Sequence, residues 1–139
     1  MKIEKILRAM KKDEDGSPRC ANSSSGIGVR HKYNCEDERL HDVILDDEDH
    51  IHPNTGGMSV SPPPSSNIPM RLKRGRGVFT ISTSLLIQYG LQYMQDPHND
   101  AHGFVEPRER VHISEYESAL VSTKYEWLEE QDDEPETPA

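Results

Sequence analysis

The chain has 139 residues, 32% hydrophobic and 29% charged, with a net charge of −9. That length suits one domain with a modest core and long loops. The acidic balance argues against a general nucleic-acid binder, which needs clustered Lys and Arg against phosphate. No stretch approaches the ~20 apolar residues of a membrane helix.

In chain order, residues 2–10 (KIEKILRAM) read either as a helix, through Ile3, Ile6, Leu7 and Met10, or as a first strand leading into a turn. The charged N-terminus has no long apolar run of the kind a cleaved signal peptide carries, so the expected compartment is the cytoplasm, with any export signal-free. Residues 16–36 are Gly/Ser/Asn-rich loop, with a short strand at Ile27–Val29. Cys20 and Cys35 belong to no CxxC pair and read as reduced thiols. HDVIL, residues 41–45, is a compact strand candidate. Eight carboxylates lie between Glu36 and Asp49, a pattern of solvated loops or of a surface for a basic partner.

His52–Pro64 (HPNTGGMSVSPPP) joins a turn to a short strand at Met58–Val60 and closes on three prolines, which deny a sheet its donors. The two glycines allow close backbone approach to a ligand, the flanking hydroxyls can bond ribose or amide groups, and successive N–H groups can form an anion nest. The other reading is a tight turn entering a strand. The lysine of a phosphate-binding P-loop and the third glycine of a dinucleotide fingerprint are both missing.

RLKRGRG, residues 71–77, is the one basic patch. It reads as a phosphate contact or, preferentially for Lys73 and Arg74, as an offset to the acidic segments. VFTIS at 78–82 is a strand of good β composition, Ser84–Gln88 a helical turn, and Leu91–Met94 a further strand. DPHNDAHG at 96–103 is a polar turn and Gly103–Pro107 a strand cut short by proline. The final helix starts near Ser114, read as N-cap with Glu117 in a capping box, and carries a stripe of Tyr116, Leu120, Lys124 and Trp127. Seven histidines are present. His50, His52, His98 and His102 could supply metal ligands, though no spacing matches a known site, and none is assigned. The expectation is an α+β fold: a small twisted mixed or antiparallel sheet with few helices as one domain over 1–130, followed by an acidic disordered tail at 131–139.

Three segments together carry a resemblance. Leu7-Arg8-Ala9-Met10, His52-Pro-Asn-Thr-Gly-Gly-Met-Ser-Val60 and His102-Gly-Phe-Val-Glu-Pro107 stand in order before the last helix. The set is similar to a family of small bacterial proteins. More distantly it resembles toxins exported by type VI secretion whose fold is ADP-ribosyltransferase-like. The resemblance implies an NAD-binding toxin or effector acting in the cytoplasm, with an unknown target macromolecule and an immunity or antitoxin partner. It implies catalytic roles for Glu106, Ser59 and Arg8, and a dinucleotide site formed by Arg8, Asn54, Thr55, Gly56, Gly57 and Ser59. Tyr89 and Tyr116 are stacking candidates for nicotinamide. The alternative is a non-catalytic protein of the same fold that docks a basic partner through its acidic segments.

Overall fold

The computed structural model describes residues 3–130; the acidic tail at 131–139 lies outside them. Among the described residues eight strands occur in chain order: β1 (Lys5–Met10), β2 (His50–Ile51), β3 (Met58–Val60), β4 (Gly77–Ser82), β5 (Leu91–Gln95), β6 (Gly103–Pro107), β7 (Val111–His112) and β8 (Leu128–Glu129). The α-helices are α1 (Met70–Lys73), α2 (Thr83–Gln88) and α3 (Ile113–Ser122). The fold is a small α+β arrangement of antiparallel sheets with few helices: two three-stranded sheets, β1-β4-β8 and β3-β6-β5, and the two-stranded β2-β7.

The first segment is a strand. Every residue from Ile6 to Met10 is buried, so the period-2 signal that would have separated strand from helix is absent. Its two faces serve different clusters. Ile6 and Met10 join the main core, while Leu7 and Ala9 pack with Ile68, Leu72 and Val78 on the opposite side. Leu7 and Ser61 exchange backbone bonds at 2.8 and 2.9 Å, and this bridge joins the two larger sheets edge to edge. Phe79 and Ile81 of β4, Met58 and Val60 of β3, Val105 of β6, and Ile113, Tyr116 and Leu120 of α3 fill the main core. Full burial of such a side chain contributes about 1.5–3 kcal/mol.

Three expectations are corrected. HDVIL forms no strand: Val43 is buried, but Asp42 is drawn to Arg30 by its carboxylate and backbone N–H, and Ile44 stays 75% exposed. The last helix is capped by His112, whose ring nitrogen accepts from Ser114 N at 3.1 Å, so the cap lies two residues before the expected Ser114. Glu117 leaves the capping box unformed and instead meets the buried His31 at 2.9 Å. The helix also stops at Ser122, where Thr123 Oγ1 turns back to Leu120 O and receives Trp127 Nε1, so Lys124 falls off the buried stripe.

Candidate functional site

Arg8 of β1 is buried, and its guanidinium is committed to the main chain. Nε donates to Gly26 O at 3.1 Å, Nη2 to Gly26 O at 2.7 Å and Ser23 O at 3.1 Å, and Nη1 to Ser59 O at 2.5 Å. One side chain thus pins the 23–26 loop and β3 against the first strand. Burial pulls the guanidinium down to about 10, partly opposed by the charge of Asp42. The structure brings Arg8 and Ser59 together, but through the Ser59 carbonyl.

Glu106 is 0% exposed on β6, and both of its oxygens are occupied. Oε1 accepts from Asn54 N at 2.7 Å and Oε2 from Gln92 Nε2 at 2.7 Å, so the carboxylate fastens the 53–57 turn to the sheet. Asn54 holds a φ of 68°, a left-handed conformation that asparagine tolerates. Thr55 turns its hydroxyl back to His52 O at 2.6 Å. A Cβ on Gly57 would collide with the Val105 carbonyl and approach the Tyr116 hydroxyl, so this glycine is required for packing. Tyr116 closes the turn from beneath: its hydroxyl donates to Val105 O at 2.5 Å and accepts from Met58 N at 3.0 Å. Burial pushes that phenol above its usual range.

Ser59 pairs with Phe104, and Glu106 lies two residues further along the same face of β6. Ser59 and Glu106 are therefore diagonal neighbours on one sheet face, a relation that spans roughly 7–8 Å. Only Ser59 of that pair reaches the cavity beside it.

That cavity holds about 430 Å³. Leu7, Ala9, Val60, Ile68 and Leu72 form its apolar part. Ser59 of β3 and Ser61, just past its end, line it, and neither hydroxyl has a hydrogen-bond partner among the described residues. Arg8, Arg71, Arg76 and His102 also line it, and no Asp or Glu does. Asn54, Thr55, Gly56 and Gly57 lie outside this lining.

Among the described residues the basic patch is held by main-chain carbonyls rather than by acid. Lys73 donates to Ser65 O at 2.9 Å, Arg76 to Ser24 O at 3.0 Å, and none of the four cations forms an ion pair among the described residues. The segment packs over the outer sheet face through Ile68 and Leu72, and that anchoring carries Arg71 and Arg76 to the cavity. The acidic stretch finds its partners elsewhere: Asp37 with Arg39, Asp42 with Arg30, Asp46 and Glu48 with Arg110, and Asp49 with Lys32. Ser61, Arg71 and Arg76 are the cavity residues that composition could not place. The alternation of two serines ahead of the prolines was the only signal for the first.

The histidines are held singly. His50 stacks edge-on against His112 at 5.4 Å, His52 reaches Asp46 at 2.8 Å, and His102 reaches Asp96 at 2.9 Å. Among the described residues no three His, Cys, Asp or Glu side chains are placed to hold a metal ion, and Cys20 and Cys35 are both unbridged. No helix among them is long and apolar enough to cross a membrane.

Comparison of this chain with protein-family models, curated proteins and solved structures finds no match in any of the three.

Proposed function

We propose that the protein binds NAD in the arginine-lined cavity and acts as an ADP-ribosyltransferase-like bacterial toxin or effector in the cytoplasm. The observation that carries this reading is electrostatic. In a chain of net charge −9, a cavity of about 430 Å³ is lined by three arginines and a histidine and by no carboxylate. Guanidinium groups suit phosphate oxygens through paired N–H donors. The unpartnered hydroxyls of Ser59 and Ser61 suit ribose hydroxyls, and the Leu7, Ala9, Ile68 and Leu72 surface suits a base ring. Cavities of a few hundred Å³ with an apolar floor and a few convergent polar groups are the usual form of small-molecule sites.

In this reading Arg71 and Arg76 grip the pyrophosphate, and Ser59 orients the nicotinamide ribose. Arg8 holds β3 in place for Ser59 and so positions the site from behind. Glu106, in the sequence position expected of the transferase carboxylate, reaches developing charge at C1′ only when the 53–57 turn releases it. The target macromolecule and an immunity or antitoxin partner belong to the same proposal.

The test is calorimetric titration with NAD, followed by an assay of nicotinamide release. Saturable binding that requires Arg71 and Arg76 supports the reading. Protein that neither takes up NAD nor consumes it overturns it.

A further inference from the structure

We propose that His102, oriented by Asp96, is the general base of the cavity. This rests on the NAD-binding reading above and goes beyond it, because no residue of the resemblance assigns a base here. The turn that carries His102 is unusually well fixed. Asp96 N donates to His102 O at 3.1 Å, His102 N donates to Asn99 O at 3.1 Å, and Gln95 Nε2 donates to both Asn99 O and His102 O at 3.0 Å.

The imidazole is held as firmly as the backbone. Nδ1 donates to Asp96 Oδ2 at 2.9 Å, and the ring packs edge-on against Phe104 with centroids 4.8 Å apart. Asp96 Oδ1 accepts from His98 N at 2.8 Å, which fixes the carboxylate in turn. A carboxylate on Nδ1–H selects the tautomer whose Nε2 carries the lone pair. That nitrogen has no partner among the described residues, and His102 lines the cavity wall. The other charged and titratable groups around it are Asp96, His98 and Asp100 of its own turn and Arg8, Arg71 and Arg76 on the other walls. None of these can accept a proton from within the cavity, because Asp96, His98 and Asp100 are not part of its lining and the arginines are cations.

The step is ordinary displacement at C1′. The C1′–N bond breaks, and nicotinamide leaves as the neutral base with the electron pair. An oxygen of water, or of the target's hydroxyl, forms the new bond to C1′, and its proton passes to Nε2 of His102. The imidazolium then returns that proton to solvent. Glu106, buried and bonded to Asn54 and Gln92, is in no position to take it.

The experiment compares wild type, His102→Gln and Asp96→Asn in two measurements: NAD binding by calorimetry, and nicotinamide release into water across pH. Wild type is expected to bind NAD and to lose rate as pH falls and the base protonates. His102→Gln is expected to keep NAD binding, lose roughly 10²- to 10⁴-fold in rate and lose the acid limb of the profile. Asp96→Asn should retain binding and show a shifted acid limb, and it serves as the readout should His102→Gln fail to fold. A wild-type rate and profile in both variants overturns the role of His102 and leaves NAD binding standing. NAD bound by wild type without nicotinamide release overturns it equally, and wild type that binds no NAD overturns both proposals.

Discussion

Two regions of this small molecule stand close together on one sheet face and treat their polar groups in opposite ways. Around Glu106, the side-chain acceptors and nearby donors bond within the chain: carboxylate to Asn54 and Gln92, phenol to Val105 and Met58. Beside Ser59, two serine hydroxyls without a partner among the described residues and the arginines Arg71 and Arg76 line an open cavity. The first arrangement has the character of a structural fastening, and the second that of a receptor. A buried polar group left unpaired costs free energy, so a chain that satisfies one cluster and exposes the other separates rigidity from recognition. Arg8 is the hinge of the contrast, since it belongs by contact to the fastened region and by location to the receptor.

The largest effect is therefore expected at Arg8. Arg8→Ala strips the donors from the carbonyls of Ser23, Gly26 and Ser59 and leaves a void beneath the 23–26 loop. An unsatisfied buried acceptor costs about 1–3 kcal/mol. Urea denaturation should show a loss of roughly 3–5 kcal/mol, at the top of the range for single substitutions. A loss below about 1 kcal/mol would mean that water replaces the guanidinium, and Arg8 would move to the receptor side of the comparison.

Tyr116→Phe comes next. It unpairs Met58 N and Val105 O, worth about 1–3 kcal/mol. Burial raises the folded-state pKa of this phenol above its unfolded value of about 10. Its contribution is then complete below that pH and is lost as pH rises further. Tyr116→Phe should remove this part of the alkaline destabilisation; an unchanged alkaline limb in thermal melts would show that other groups govern it.

A smaller effect of opposite sign belongs to Asp46, at the β2–β7 corner. Its carboxylate accepts from His50 N at 3.0 Å, His52 Nε2 at 2.8 Å, Glu48 N at 2.8 Å and Arg110 Nε at 3.0 Å. The His50 N–H is the foremost of the causes that hold it well below the usual carboxylate range. Stabilisation is present above the unfolded value of about 3.9 and is lost as pH falls toward the folded one. Asp46→Asn should flatten the acid side of a stability–pH curve, and an unaltered curve would remove Asp46 from the account.

How much of this was legible in the sequence depended on whether a local pattern carried the information. VFTIS, LQYM and GFVEP read as strands because β-rich runs sit between turn residues, and they became β4, β5 and β6. KIEKILRAM stayed ambiguous because β1 is buried on both faces, so neither period shows. HDVIL had strand composition but no partner edge, since Asp42 bonds Arg30 instead. Ser59 was legible as a strand residue with a polar side. The address of Arg71 and Arg76 was not, because the contacts that place them, Ile68 and Leu72 on Leu7 and Ala9, join segments some sixty residues apart. A charge run announces cations without saying what they face.

The smallest effect on folding is expected where the receptor cations stand, and that contrast is the sharpest test of the comparison. Arg71 is exposed and Arg76 half-buried, and neither forms an ion pair among the described residues. Arg76 alone gives up a bond, to Ser24 O at 3.0 Å, and that carbonyl sits at a wall that water reaches. Surface changes of this kind usually stay within about 0.5 kcal/mol. The double variant Arg71→Ala/Arg76→Ala should thus unfold at nearly the wild-type urea concentration. On the NAD-binding proposal, its affinity for NAD should nevertheless fall by about tenfold or more, since charge-assisted bonds to phosphate contribute about 1.5–3 kcal/mol each. The fall should shrink with added salt, as it would for exposed charges meeting an anion. If stability and affinity instead fall together, the basic segment is part of the fastening after all. If neither falls, the cavity's arginines recognise nothing, and the contrast between the two regions disappears.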